Sequence, residues 1–231
     1  MPKTFKILLV FSLFTYLPSN ANAQLIDMSI GIRGGLTLAS YSRDVNFGST
    51  ILDESLSSGN ISRITGGITF NVKMINYFGL QFEGMLVNKG GVVEANTLSG
   101  QNLTPVNRNY TTNLDYIQFA LIPKFIIDQT PGFGFFGGAG LYAAFLTNAK
   151  EEVQASTFQQ SLTTGRDISN SIKGTDFGFL VTGGVQISSF VIEGRYSAGF
   201  VNIISDPSLN QNISAKNGVV TFIIGYNFSL L

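Results

Sequence analysis

The chain has 231 residues, with 14 Lys and Arg against 14 Asp and Glu, and no His, Cys or Trp. These counts exclude an imidazole base, a thiol nucleophile, a disulfide and the usual zinc or iron ligand sets, and a net charge of zero removes the bulk attraction on which nucleic-acid binding draws. A composition that is 44% hydrophobic, 12% aromatic and only 12% charged argues against disorder.

Residues 1–23 read as a secretory signal peptide. Lys3 and Lys6 supply a positive start, and Ile7 to Leu17 is an apolar stretch too short to span a membrane as a helix. Pro18 breaks that stretch, and Ala21-Asn22-Ala23 has the small-x-small cleavage pattern, which places the cut before Gln24. No cysteine follows to carry a lipid anchor, and the remaining 24–231 read as one barrel domain.

From Ile26 the period is two. Ile26, Met28, Ile30, Ile32, Leu36 and Leu38 alternate with Asp27, Ser29, Gly31, Arg33, Gly35 and Thr37, a pattern a strand uses and a helix does not. The next strands are expected at 63–74 and 78–88. In the first, Ile64, Ile68, Phe70 and Val72 alternate with Arg63, Thr65, Thr69 and Lys73; in the second, Phe78, Leu80, Phe82 and Leu86 alternate with Gln81, Glu83, Met85 and Val87. In 113–127, Ile117, Phe119, Leu121, Pro123 and Phe125 oppose Tyr116, Gln118, Ala120, Ile122 and Lys124, and in 133–147 an apolar row opposes a Gly-rich face. Three more follow at 175–187, 190–203 and 218–230, which set Asp176, then Glu193 and Arg195, then Thr221 and Asn227 opposite rows of Phe, Ile and Val.

Eight strands leave seven connections. Those at 39–62, 89–112, 148–174 and 204–217 are long and rich in Ser, Thr, Asn and Gly, whereas those at 75–77, 128–132 and 188–189 are short. Long and short connections alternate, so all short turns fall on one side. Transmembrane barrels show this asymmetry, with short periplasmic turns and longer external loops. Strands of about thirteen residues also exceed the roughly 5–6 usual in soluble sheets and suit a tilted crossing of the hydrocarbon. The sequence therefore predicts an all-β fold, an eight-stranded antiparallel up-and-down transmembrane β-barrel. Its apolar rows would face lipid, and Arg33, Arg63, Lys73, Glu83, Lys124, Asp176, Glu193 and Arg195 would form a structural charge network inside it. Aromatics near the strand ends, among them Phe78, Phe125, Phe190, Phe145 and Phe200, suit interfacial girdles.

The strand motifs Gly31-Ile32-Arg33-Gly34-Gly35-Leu36-Thr37-Leu38-Ala39, Leu114-Asp115-Tyr116-Ile117-Gln118-Phe119-Ala120-Leu121-Ile122-Pro123-Lys124 and Gly137-Gly138-Ala139-Gly140-Leu141-Tyr142 resemble, in order and length, the PorT-type outer-membrane β-barrel family of Bacteroidetes. In the second motif the lysine stands one residue after Pro123. The resemblance implies residence in the outer membrane of a Gram-negative bacterium, with outer-membrane lipid as its surroundings. The last strand, Gly225-Tyr226-Asn227-Phe228-Ser229-Leu230, resembles the terminal signal read by barrel-assembly machinery, although Leu231 replaces a final aromatic.

Few residues suggest chemistry. Gly132 to Gly137 fits G-x-G-x-x-G, but a turn precedes it and a strand continues, whereas a dinucleotide site needs a strand before and a helix after. Glu83 and Glu193 are a conceivable hydrolytic carboxylate pair, yet they share their face with Arg33, Arg63, Lys73 and Arg195, which favours a salt network. No catalytic, cofactor-binding or metal-binding residues are assigned, and no cofactor is expected. The functional expectation is a non-enzymatic outer-membrane protein that acts through its long external loops or an envelope partner, with no nucleic-acid partner. A small channel or porin is one alternative. The other is a secreted lipocalin-like carrier of hydrophobic ligands, which would carry its apolar rows inside.

Overall fold

The computed structural model describes residues 27–45, 57–75, 77–99, 104–130, 132–156, 161–205 and 213–230. The expected signal peptide and its cleavage site lie outside these residues.

The described residues form ten strands: β1 Asp27–Val45, β2 Ser57–Gly59, β3 Ile61–Ile75, β4 Phe78–Ser99, β5 Thr104–Thr130, β6 Phe133–Ser156, β7 Ser161–Asp167, β8 Thr175–Ile187, β9 Phe190–Gly199 and β10 Ile213–Ser229. Eight of them close a ring in the order β1-β3-β4-β5-β6-β8-β9-β10, with every neighbouring pair antiparallel. The seam pairs β1 with β10 from Ser29↔Ser229 to Val45↔Ile213. Closure leaves no ring strand with an open edge, which hydrocarbon requires because it offers backbone groups no other partner. Among the described residues no helix is long and apolar enough to cross a membrane.

The pleat sends the two residue classes to opposite faces. Outside stand Ile64 (79% exposed), Ile68, Leu86, Leu141, Phe222 and Ile224 (68%), while Thr37, Thr65, Thr69, Gln81, Glu83 and Arg195 are buried inside. A wall this apolar is far larger than the patch of a few hundred Å² that a soluble monomer exposes, so it faces acyl chains. A lipocalin-like carrier is thereby excluded, because the greasy rows are on the outer surface. Rings meet near the short-turn end, where Phe190 and Tyr226 centroids are 5.1 Å apart and Tyr77 stacks on Phe125 at 6.1 Å. Near the other end Phe179 stacks on Phe200 at 5.7 Å.

Several expected boundaries differ: β1 runs on to Val45, β9 stops at Gly199 and β10 starts at Ile213. The connection expected at 89–112 is mostly strand: β4 and β5 stay paired from Phe78↔Phe125 to Ser99↔Thr104. Likewise β6 runs to Ser156, and β7 pairs with it from Lys150↔Asp167 to Ser156↔Ser161. Above the membrane neither sheet face meets lipid, so these stretches lose the alternation while keeping the ladder. β2 adds to β4 through Ser57↔Glu94, and β2-β4-β5-β6-β7 thus continue outward as a sheet whose outer strands, β2 and β7, have no second partner among the described residues.

Apolar side chains pack in the lumen from the level of Ile122 up to its long-loop end. Leu114, Ile122, Ala144, Leu180, Ile203 and neighbouring residues form one buried cluster, against which Ile168, Ile172 and Ile204 pack. Two connecting segments meet there, with an Ile172↔Ile204 bridge and a bond from the Lys173 N–H to the Ile203 carbonyl. At the other end Ser188 takes the left-handed backbone conformation (φ 54°) that the tight β8–β9 turn needs.

Candidate functional site

The lumen side chains separate into two clusters. The one nearer the short turns centres on Arg195 of β9. Its Nη1 and Nη2 donate to the two Glu83 oxygens at 2.5 and 2.9 Å, and its Nη2 and Nε donate to Glu193 Oε1 at 2.6 and 3.1 Å. β4 and β9 are not neighbours in the ring, so the Arg195–Glu83 fork is a brace across the barrel. Gln81 Nε2 donates to Glu83 at 2.9 Å and the Thr182 hydroxyl to Glu193 at 2.6 Å. Lys124 Nζ lies 3.7 Å from Glu193 Oε2 and 4.1 Å from the Phe136 ring centroid. All five charged groups of this cluster, Arg33 included, are at most 8% exposed.

Arg33 is held differently. Nη2 donates to Asn227 Oδ1 at 2.8 Å and Nη1 to the Ile32 carbonyl at 3.1 Å, while Nε has no hydrogen-bond partner. Its side chain runs over two glycines: a Cβ on Gly31 would stand 2.4 Å from Nη1, and one on Gly225 2.5 Å from Cδ. Glycine at both positions is therefore what lets the guanidinium reach toward the short-turn end.

The second cluster lies nearer the long loops. Lys89 and Asp176 are fully buried and pair at 3.0 Å, again between strands that are not neighbours, β4 and β8. Asp176 Oδ2 also accepts from Asn217 Nδ2 at 2.9 Å and from the Tyr142 hydroxyl at 3.3 Å. Lys89 Nζ sits 4.0 Å above the Tyr142 ring centroid and 5.2 Å from that of Tyr116.

The eight charged residues expected to form one network thus have four destinations. Arg33, Glu83, Lys124, Glu193 and Arg195 gather. Asp176 belongs to the second cluster. Arg63 is exposed and donates to Asn113 Oδ1 at 2.7 Å, and Lys73 pairs with Asp128 at the short-turn rim. Arg63 and Lys73 depart because each lies toward an end of β3, where water solvates the charge. Sequence reasoning missed Lys89 and Asn217, and it gave Tyr116 and Tyr142 no part in the charge network. Lys89 fell in the expected connection, although it continues the odd-numbered row of Gln81, Glu83, Met85 and Val87.

Chemically, both carboxylates of the conceivable hydrolytic pair are committed to one guanidinium. Among the described residues no group of His, Cys, Asp or Glu could hold a metal ion.

Among solved structures the chain is similar to Ail, the attachment invasion locus protein of Yersinia pestis, at 16% identity over 87% of this chain and 98% of that one, with a TM-score of 0.35. It is similar to the outer membrane protein OprG from Pseudomonas aeruginosa at 14% identity over 87% and 95%, TM-score 0.43. Neisserial surface protein A follows at 10% identity over 86% and 97%, TM-score 0.39. No curated protein matches the sequence. The model of the outer membrane protein beta-barrel domain matches residues 20–205. With a closed ring, an apolar outer wall and that match over most of its length, the chain belongs to the outer membrane protein beta-barrel domain family and resides in the outer membrane of a Gram-negative bacterium.

Proposed function

We propose that this outer-membrane barrel is a non-enzymatic, PorT-like protein of Bacteroidetes type that acts through the sheet its strands extend beyond the membrane. Residues 1–23 direct export and are removed, barrel-assembly machinery reads the last strand, and outer-membrane lipid holds the wall. The charge pairs that cross the barrel, Arg195–Glu83 and Lys89–Asp176, are structural in this reading. Together with the buried apolar cluster they block the lumen beyond its short-turn end, which argues against a channel.

The observation that carries the reading is the outward continuation of β2-β4-β5-β6-β7. Among the described residues β7 pairs with β6 alone, and its Leu162 is 68% exposed. A free edge of this kind accepts an extended partner strand by main-chain hydrogen bonds. A photo-crosslinking residue placed at Leu162 in intact cells tests it. Discrete protein adducts at Leu162, absent from a probe at Ile224 on the lipid face, are expected. Protein adducts only from a probe at Gln129, on the short-turn side, would move the partner to the periplasm and overturn the reading.

A further inference from the structure

At the short-turn end the lumen opens as a cavity of about 540 Å³, lined by Arg33, Asn71, Gln81, Lys124, Phe136 and Val191 among others. Short turns face the periplasm, so the cavity does too.

Its buried charges do not balance. The buried groups at its inner end are three cations, Arg33, Lys124 and Arg195, and two carboxylates, Glu83 and Glu193. Both carboxylates are taken by Arg195, and Glu193 is shared at longer range with Lys124. Among the described residues, no carboxylate forms an ion pair with Arg33. At the rim Asp128 is paired with Lys73, and Asp27, which also lines the cavity, is exposed to water and forms no ion pair with Arg33. Arg33 is 6% exposed, its Nε is an orphan donor, and Gly31 and Gly225 leave the space through which it reaches the cavity it lines. A buried charge without a partner is costly, so one negative charge is wanted there. The remaining wall is partly apolar: Phe136, Ile126 and Val191 line the same space.

We propose that this vestibule is a periplasm-facing binding site for a small organic monocarboxylate. The carboxylate neutralises Arg33 beside Lys124, and the apolar body rests on Phe136, Ile126 and Val191. A single unbalanced charge with apolar walls selects a monoanion with a hydrophobic part over phosphate or a polyanion.

The test uses the full chain refolded in detergent micelles, titrated calorimetrically with N-acetyl-L-phenylalanine, its neutral amide, and inorganic phosphate. Saturable one-to-one binding of the acid is expected, with the amide at least about tenfold weaker because it lacks the charge-assisted hydrogen bonds. Arg33→Met should weaken the acid to the level of the amide, and Arg166→Met, on β7 in an exposed pair with Glu151 and away from the cavity, should leave it within about twofold. Equal binding of acid and amide, tighter binding of phosphate, no saturable binding, or full binding by folded Arg33→Met would each overturn the proposal. Should Arg33→Met not fold, the wild-type Arg33 Nε–H resonance decides: it shifts on adding the acid if the proposal holds, and stays in place if it does not.

Discussion

Arg195 keeps two buried carboxylates, Glu83 and Glu193, from repelling one another. Its fork on Glu83 and its second contact with Glu193 use Nε and both Nη atoms. A lysine, with one compact ammonium, cannot reproduce that planar geometry. Arg195→Leu should therefore destabilise the barrel by about 3–5 kcal/mol, because it leaves buried carboxylates uncompensated. Adding Glu83→Leu should recover part of that loss by removing one of them. Urea unfolding in lipid vesicles, followed by tyrosine fluorescence and gel migration, measures both. A double variant no more stable than the single one would mean that the two side chains are not coupled. Neither variant touches the free edge of β7, so surface crosslinking at Leu162 should persist wherever the barrel still folds.

Along the strands the period of two is the whole code, and it holds wherever two different media face the sheet. β8 shows it most simply: buried Asp176, Gly178, Leu180 and Thr182 alternate with exposed Phe177, Phe179 and Val181. Ile224, outward on β10, pairs with Gly34 and Ile192 near the middle of the apolar band. Ile224→Arg should cost about 2–4 kcal/mol in lipid, the range for a cation near the bilayer midplane, while Ile224→Leu should cost under about 1.5 kcal/mol. Equal tolerance of the two would contradict the lipid-facing assignment. The same reasoning sets the limits of what the sequence discloses. Strand number, facing and the short turns at Ser188-Ser189 and near Gly132 follow from alternation and turn residues. The upper parts of β4 and β5 do not, since beyond the membrane no lipid face imposes an apolar row and the sequence there loses its alternation. Partner identity inside the lumen is also hidden, because alternation says that Asp176 points inward but not which strand faces it across the barrel. Lys89 answers from β4. A double-mutant cycle of Lys89→Met and Asp176→Leu should show a coupling above about 1 kcal/mol, as residues in contact do, and each single change should cost more than the pair. Additive costs would mean that the two charges do not depend on each other.

At the scale of the molecule the lumen runs from a periplasmic vestibule through the Arg195 cluster to the Lys89–Asp176 pair, with one buried apolar cluster packed around and beyond that pair. Among the described residues these apolar side chains interrupt any polar path along the axis. In planar bilayers the wild-type barrel should give no steady conductance. A triple Glu83→Ala, Arg195→Ala and Lys124→Ala variant should leak only if the apolar cluster is also opened, for instance by Ile203→Ser. Steady wild-type currents would restore the channel reading.

The β1–β10 seam has a consequence for assembly timing. The strand made first must find the strand made last, so it waits through synthesis of everything between them, and its hydrogen-bonding groups need a temporary host until then. Loop closure on this scale makes the final pairing the slow step. A barrel halted before its tenth strand arrives would stand in the bilayer as an open trough, a natural substrate for quality-control proteolysis.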